Sequence, residues 1–219
     1  MSEGADALGL SLEAEGIERL WRHRELLERW ADRVNLTTVR ELDGQVDRLY
    51  LDSALVLPHL DPGARVHDVG TGAGFPGLVL KALRLDLRVT LSEARHKRVT
   101  FLRAAIREMG LAEGEGLEVR WGRLGWSQAG PAEEVWQEVI SRAVAPPAEW
   151  VQGGASLVAP GGRLWIMSGS PHADSEPDPS ASGEPSGWRL AEGFRLESTW
   201  PYRLPFCGLE RQLVALRRA

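Results

Sequence analysis

The sequence predicts an α/β fold: a seven-strand, mainly parallel sheet of Rossmann-like type, preceded by an N-terminal helical extension. Three observations carry this reading. From residue 65 onward, short apolar runs alternate with helical patterns, the texture of right-handed βαβ units. A glycine-dense segment, Gly70-Thr71-Gly72-Ala73-Gly74-Phe75-Pro76-Gly77, follows the first of those runs. The last two runs have no helical pattern between them, which predicts an antiparallel hairpin at the edge of the sheet.

At 219 residues and 43% hydrophobic content, the chain has the length of one domain with a small appendage. Its 26 basic and 31 acidic side chains give a net charge of −5. That excludes a uniformly basic nucleic-acid surface but leaves room for a local patch. No apolar run approaches the ~20 residues of a membrane span. The opening MSEGADALGLSLEAEG has neither the basic flank nor the apolar stretch of a secretory signal, so a cytoplasmic protein is expected. Cys207 is the single cysteine, which excludes an internal disulfide framework and a multi-cysteine metal site. His23, His59, His67 and His172 show no metal-ligand spacing, so no metal is expected. Lys81 and Lys97 are the only lysines. Coding bias accounts for this arginine preference; phosphate binding by guanidinium forks is the functional alternative.

The elements follow in order. Residues 11–34 read as a helix, with Ser11 as its cap and Glu13 and Glu15 near the positive end of the dipole. Ile17, Leu20, Leu27, Ala31 and Val34 recur at helical spacing, and Arg and Glu alternate on the outer face. A second helix runs from about 46 to 57 and stops at Pro58. Residues 1–64 are thus a helical extension packed on a core of residues 65–219. Strands are expected at 65–69, 87–92, 117–121, 136–141 and 163–167, with two more near 194–202 and 211–216. Val99, Leu102, Ile106 and Met109 mark a helix, and Gly110 stands at its stop. Trp121, Trp136 and Trp165 lie on strands and are expected in the core, whereas Trp126 and Trp150 lie near loops where a flipped base could stack. Residues 169–187 combine Pro, Ser and acids without aliphatic anchors, so they are expected to form a mobile loop.

The glycine segment carries the chemistry. Glycines let the backbone pass close to a ligand, and the helix starting near Pro76 offers free N–H donors. A nucleotide-type ligand at the carboxyl end of a parallel strand fits open α/β sheets. Gly72-x-Gly74-x-x-Gly77 formally matches the dinucleotide fingerprint. However, the strand ends at Val69, so Gly70 is the first loop glycine, and the charge of Asp68 would oppose a pyrophosphate. An acid there suits S-adenosylmethionine, with its α-ammonium and sulfonium. Glu93, at the end of the second strand, can accept hydrogen bonds from both ribose hydroxyls, a requirement shared with NAD. Arg95, His96, Lys97 and Arg98 cluster at a helix start, as an RNA contact or a solvated helix face, with Arg103 and Arg107 further along.

The run HDVGTGAGFPGLVLKALRLDLRVTLSEARHKRVTFL resembles the RsmG (GidB) family of bacterial small-subunit ribosomal RNA methyltransferases. So do Val34-Asn35-Leu36-Thr37-Thr38-Val39-Arg40, Leu51-Asp52-Ser53, Val139-Ile140-Ser141-Arg142-Ala143 and Glu210-Arg211-Gln212-Leu213-Val214. The collinear match spans about Arg33 to Val214, outside 169–187. It implies a seven-strand S-adenosylmethionine-dependent methyltransferase fold and methylation of guanine N7 in small-subunit (16S) ribosomal RNA, free or in a particle, by a protein expected to be a monomer. By resemblance, Gly70 and Phe75 contact the cofactor, Glu93 holds the ribose, and Leu124 and Gly125 border the adenine. Arg142 reaches in from the fourth strand as the positioning candidate, and Asp68, Gly72 and Gly74 complete the loop by geometry. Arg95, Lys97, Arg98, Arg103 and Arg123 are the RNA-contact candidates, Lys97 and Arg98 matching basic positions of the family.

The chain departs from the family pattern in four places. The turn Gly122-Arg123-Leu124-Gly125 lacks the usual acid. Leu49 and Gln212 each stand where a histidine is usual, and Ser168 where a lysine is usual. The cofactor half is intact and the acceptor half altered. Because guanine N7 carries a lone pair and no proton, its methylation rests on in-line positioning and needs no general base. Two alternatives stand beside this reading: a methyltransferase for another RNA or a small molecule, and an inactive paralogue binding cofactor or ribosome. A dehydrogenase is disfavoured by Asp68.

Overall fold

The computed structural model describes residues 1–30, 34–114, 116–122, 134–142, 144–169 and 189–219. Aliphatic residues on both pleat faces mark strands covered on both sides: in β4 (Trp136–Ser141), Ile140 faces one apolar cluster and Val139 the other. The remaining strands are β1 (Arg65–Val69), β2 (Arg88–Glu93), β3 (Leu117–Trp121), β5 (Val158–Gly169), β6 (Phe194–Arg203) and β7 (Glu210–Arg218). They form one seven-stranded sheet in the order β3-β2-β1-β4-β5-β7-β6. β1 to β5 pair in parallel, and β7 is antiparallel to both β5 and β6. The expected antiparallel ending is present. The last strand of the chain is internal to the sheet, however, and β6 takes the edge, where Pro201 removes one ladder donor.

The helices are α1 (Ser2–Ala7), α2 (Ala14–Trp30), α3 (Leu42–Gln45), α4 (Asp52–Ala54), α5 (Gly77–Leu83), α6 (His96–Glu108) and α7 (Pro147–Gly154). α1 has too few residues for a helical pattern to be read from sequence. Tertiary contact holds it: a Cβ on Gly4 would lie 2.5 Å from Leu51 and 2.9 Å from Phe206. α2 starts at Ala14, later than its predicted cap at Ser11, and buries Leu20, Leu26 and Leu27 in the cluster that holds Phe101 and Leu102 of α6. The second predicted helix begins earlier than expected, and its centre, Val46–Leu51, is wound as a π-helix between α3 and α4. Such wide turns recur at functional sites, and this one carries Arg48 and Leu49. Pro58 falls in a short 3-10 turn, Leu57–His59, after the main helix has ended. α6 ends as predicted, with Gly110 at φ +70°.

α7 covers the other face of the sheet. There Trp150 and Val151 pack with Val139, Leu164 and Val214. Two sequence expectations about tryptophans are corrected. Trp121 is 65% exposed at the carboxyl end of the edge strand β3, whereas Leu117 and Val119 earlier on the same face are buried. Trp150 is buried and donates its Nε1–H to Trp165 O at 2.9 Å, so it has no face for a base. Trp126 and, apart from Gly169, the segment expected to be a mobile loop lie outside the described residues. No helix among the described residues is long and apolar enough to cross a membrane.

Candidate active site

β1 runs directly into the glycine loop, where Gly70, Gly72 and Gly74 all have positive φ, at +71°, +63° and +100°. The loop is pinned to the neighbouring strand: the N–H groups of Gly70 and Thr71 donate to Ser92 O at 2.9 and 3.0 Å. Asp68 is buried beneath it. Its Oδ2 accepts from Thr71 Oγ1 at 2.6 Å and from the first N–H of α5, Gly77, at 2.7 Å. Burial pushes its carboxyl up to about 6, against the opposing pull of these two hydrogen bonds. Its place before the loop predicts that Asp68 faces a cationic ligand. The structure makes it the brace of the turn, with Oδ1 buried and without a hydrogen-bond partner among the described residues. Two glycines serve different ends. A Cβ on Gly77 would sit 2.5 Å from Leu91 and 2.7 Å from Asp68 Cβ, whereas one on Gly72 would meet nothing closer than Arg98 at 3.8 Å. Gly77 is small for packing; Gly72 leaves bare backbone.

Glu93, ending β2, closes the loop's other side. Its Oε2 accepts from Gly72 N at 3.0 Å and its Oε1 from Arg95 N at 2.8 Å. The Arg98 guanidinium lies 3.7 Å from the same carboxylate and donates to Asn35 O at 3.1 Å. Arg98 therefore ties the start of α6 to the segment after α2 and shapes the site. Arg95 and Lys97 are exposed. Arg103 lies further along the helix in a surface pair with Glu113 at 3.2 Å. Arg123, Leu124 and Gly125 lie outside the described residues.

A cavity of about 630 Å³ opens at the carboxyl ends of β1, β4 and β5. Gly70, Gly72 and Phe75 line one side, and Asn35 to Val39 face them with Leu49 and Arg142. Ser141 donates to Val69 O at 2.8 Å, which sets the height at which Arg142 leaves β4. Arg142 then donates to Arg48 O and lies over the Phe75 ring, 5.4 Å from its centroid. Asp52, buried at the base of this wall, is 3.7 Å from Arg142 and 2.9 Å from Arg211 Nε, an ion-pair distance without hydrogen-bond alignment. Tyr202 Oη also donates to Asp52, and burial with the adjacent carboxylate pushes its phenol well above the usual range. Two guanidiniums thus share one carboxylate, leaving the wall cationic.

The altered positions are here too. Leu49 is buried at the lining, and Ser168 lines the cavity with its Oγ accepting from Gln212 Nε2 at 3.1 Å.

Sequence reasoning missed His23. This buried histidine on α2 donates from Nε2 to Ala73 O at 2.8 Å, and its Nδ1 accepts from Tyr50 Oη at 2.8 Å; the carbonyl partner fixes the tautomer. The rings of His23 and Tyr50 meet Phe75 edge-on, at centroid distances of 5.3 and 5.2 Å. Burial lowers His23 to about 4, so the ring is neutral. The available signal was its spacing with Leu20 and Leu27, which puts an imidazole on the apolar face of α2.

The described lining of the cavity supplies groups suited to positioning. Among its described lining residues there is no imidazole and no lysine, and the one carboxylate, Asp52, is already engaged.

The model of the GidB family, rRNA small subunit methyltransferase G, matches residues 16–178. Ribosomal RNA small subunit methyltransferase G of Myxococcus xanthus is 35% identical over 219 residues, covering 100% of this chain and 95% of its own length. The protein of the same description from Symbiobacterium thermophilum is 37% identical over 227 residues, covering 100% and 88%. Among solved structures, the O-methyltransferase from Bacillus cereus in complex with SAH superposes with a TM-score of 0.54 at 16% identity over 90% of each chain. A SAM-dependent methyltransferase from Aquifex aeolicus gives 0.51 at 18% identity, over 80% of this chain and 93% of its own. At those identities the likeness is one of fold.

Proposed function

Because the chain belongs to the GidB family of small-subunit ribosomal RNA methyltransferases, we propose that it transfers a methyl group from S-adenosylmethionine to guanine N7 in small-subunit ribosomal RNA. The observation that supports this reading is a cavity joining the glycine loop to a cationic wall, with no free base among the described lining residues.

S-adenosylmethionine supplies an electrophilic methyl on a sulfonium. The residues present fit such a group: Gly72 leaves its backbone bare, and Glu93 lies directly beside it. Gly70, Gly72 and Phe75 hold the cofactor, and Gly74 keeps the turn tight enough for them to do so. Glu93 retains lone pairs for the ribose hydroxyls while it fixes the loop through Gly72 N–H. Asp68 holds the turn from below and keeps a negative field under it. Arg142, supported by Arg48 O, Asp52 and the Phe75 ring, positions the acceptor and the cofactor against each other. N7 presents a lone pair and no proton, so alignment suffices for transfer. An exocyclic amine or a hydroxyl acceptor would need a proton acceptor, which the described lining does not supply.

Residues 1–64 act in this reading as a brace: α2 holds the glycine loop through His23. The substrate is the RNA itself or its particle, met in the cytoplasm. Leu49, Ser168 and Gln212 favour a second reading, transfer to another RNA or a small molecule.

Calorimetric titration tests the cofactor half: S-adenosylmethionine binds and NAD does not. Labelled methyl transfer to purified small-subunit particles tests the acceptor half.

A further inference from the structure

We propose that the exposed indole of Trp121, with Arg95 and Lys97, forms a stacking platform for a single-stranded segment of the RNA substrate, beside the methyl-transfer cavity. The proposal rests on the RNA methyltransferase reading and names the surface that takes the RNA.

Trp121 is the most exposed large apolar side chain among the described residues, at 65%. Trp136, Trp150 and Trp165 are buried, so this indole departs from the chain's own pattern. It is also held in place. Its Nε1 donates to Ala94 O at 3.1 Å, and the His96 ring meets it edge-on at 5.2 Å and 82°. A fixed aromatic ring in solvent stacks a base without first being ordered, and such stacking tolerates any base because each has a π-face.

The charge around it matches a phosphate backbone. Arg95 and Lys97 are exposed and form no ion pair among the described residues. A second cavity of about 390 Å³ is lined there by Val34, Asn35, Arg95, His96, Lys97 and Arg98, with no acid among them. The nearby carboxylate of Glu93 is buried and turned inward, accepting from two backbone N–H groups and lying 3.7 Å from the Arg98 guanidinium. In a chain of net charge −5 this cationic stretch is local, as a docking surface for a polyanion requires. Asn35 and Arg98 line both cavities, so the surface runs on to the glycine loop. A strand lying across it would place phosphates on Arg95 and Lys97 and a base on Trp121, with a neighbouring nucleotide directed to the cavity.

Two measurements on the full chain test this: KM and kcat for methylation of small-subunit particles, and affinity for a short single-stranded oligoadenylate. Trp121→Ala should raise KM and weaken the oligonucleotide about tenfold, with the change falling on KM and not on S-adenosylmethionine affinity. Trp121→Phe should restore most of the loss. Lys97→Glu should weaken binding and flatten its salt dependence, since one phosphate contact fewer means fewer counterions released on binding. Unchanged KM and oligonucleotide affinity in Trp121→Ala would overturn the platform. So would a loss of cofactor affinity with RNA binding intact, which would assign the ring to the cofactor, or binding of an acidic polypeptide in place of RNA. Oligonucleotide binding is read without turnover. A wild-type protein that binds RNA but methylates no particle would therefore count against the functional reading alone.

Discussion

Gln212 Nε2 donates a hydrogen bond to Ser168 Oγ at 3.1 Å, between directly paired positions of β7 and β5. Two of the positions where this chain departs from its family's pattern are therefore one structural unit at the rim of the cavity. Both partners are neutral, and the strand register brings them together.

Coupling between them is the first expectation. Ser168→Ala, Gln212→Ala and the double variant, compared by urea unfolding, should show an interaction energy of about 0.5–1.5 kcal/mol, the range of a neutral hydrogen bond. Strict additivity would mean that the bond contributes nothing. Ser168→Lys should tighten binding to small-subunit particles and steepen its salt dependence by about one counterion.

The two glycines of the loop should separate binding from stability. Gly72→Asp puts a side chain and a charge into open space beside the cavity and should abolish S-adenosylmethionine binding, at about 1–2 kcal/mol of stability for the positive φ. Gly77→Ala drives a Cβ to 2.5 Å from Leu91 and should cost about 1–3 kcal/mol by overpacking. Calorimetry and urea unfolding on both variants check the contrast.

His23 should leave a signature in the pH dependence of stability. Folding lowers its pKa from 6.5 to about 4, so the unfolded chain takes up the proton first. Its neutral, buried form contributes stability that is complete above pH 6.5 and is lost as pH falls toward 4, about 3 kcal/mol in all. Asp68 works oppositely, because its raised pKa favours folding at low pH, so the wild-type profile alone mixes the two. The difference between wild type and His23→Gln isolates the term. That difference should shrink by about 3 kcal/mol between pH 7 and pH 4; a constant difference would contradict the neutral ring.

Asp52 is the shared anion of two guanidiniums. Asp52→Asn removes the buried counter-ion of the partly buried Arg142 and Arg211 and should destabilise by about 1–3 kcal/mol. Adding Arg211→Met should recover part of the loss. A fully stable single variant would show that solvent screens the pair.

The sheet was legible because its strands are apolar runs bounded by turns, and the glycine loop because positive φ demands glycine at Gly70, Gly72 and Gly74. The family motifs located the cavity. What escaped was tertiary in origin. α1 exists by docking Gly4 against Leu51 and Phe206, which no local pattern encodes. Trp121 reads as core because it is a tryptophan on a strand, and it is exposed at the carboxyl end of β3, beyond the buried Leu117 and Val119. Asp68 reads as a ligand contact from its place before the loop, but two donors, Thr71 and Gly77, turn it inward. The bond between Ser168 and Gln212 joins residues far apart in sequence and needs the strand register to be seen.

Nucleoside mass spectrometry of small-subunit ribosomal RNA tests the central claim most directly. RNA from cells lacking this gene should lack one N7-methylguanosine, which wild-type protein and S-adenosylmethionine restore and Gly72→Asp does not. An identical N7-methylguanosine content with and without the gene, and no transfer by the purified protein, would contradict the account.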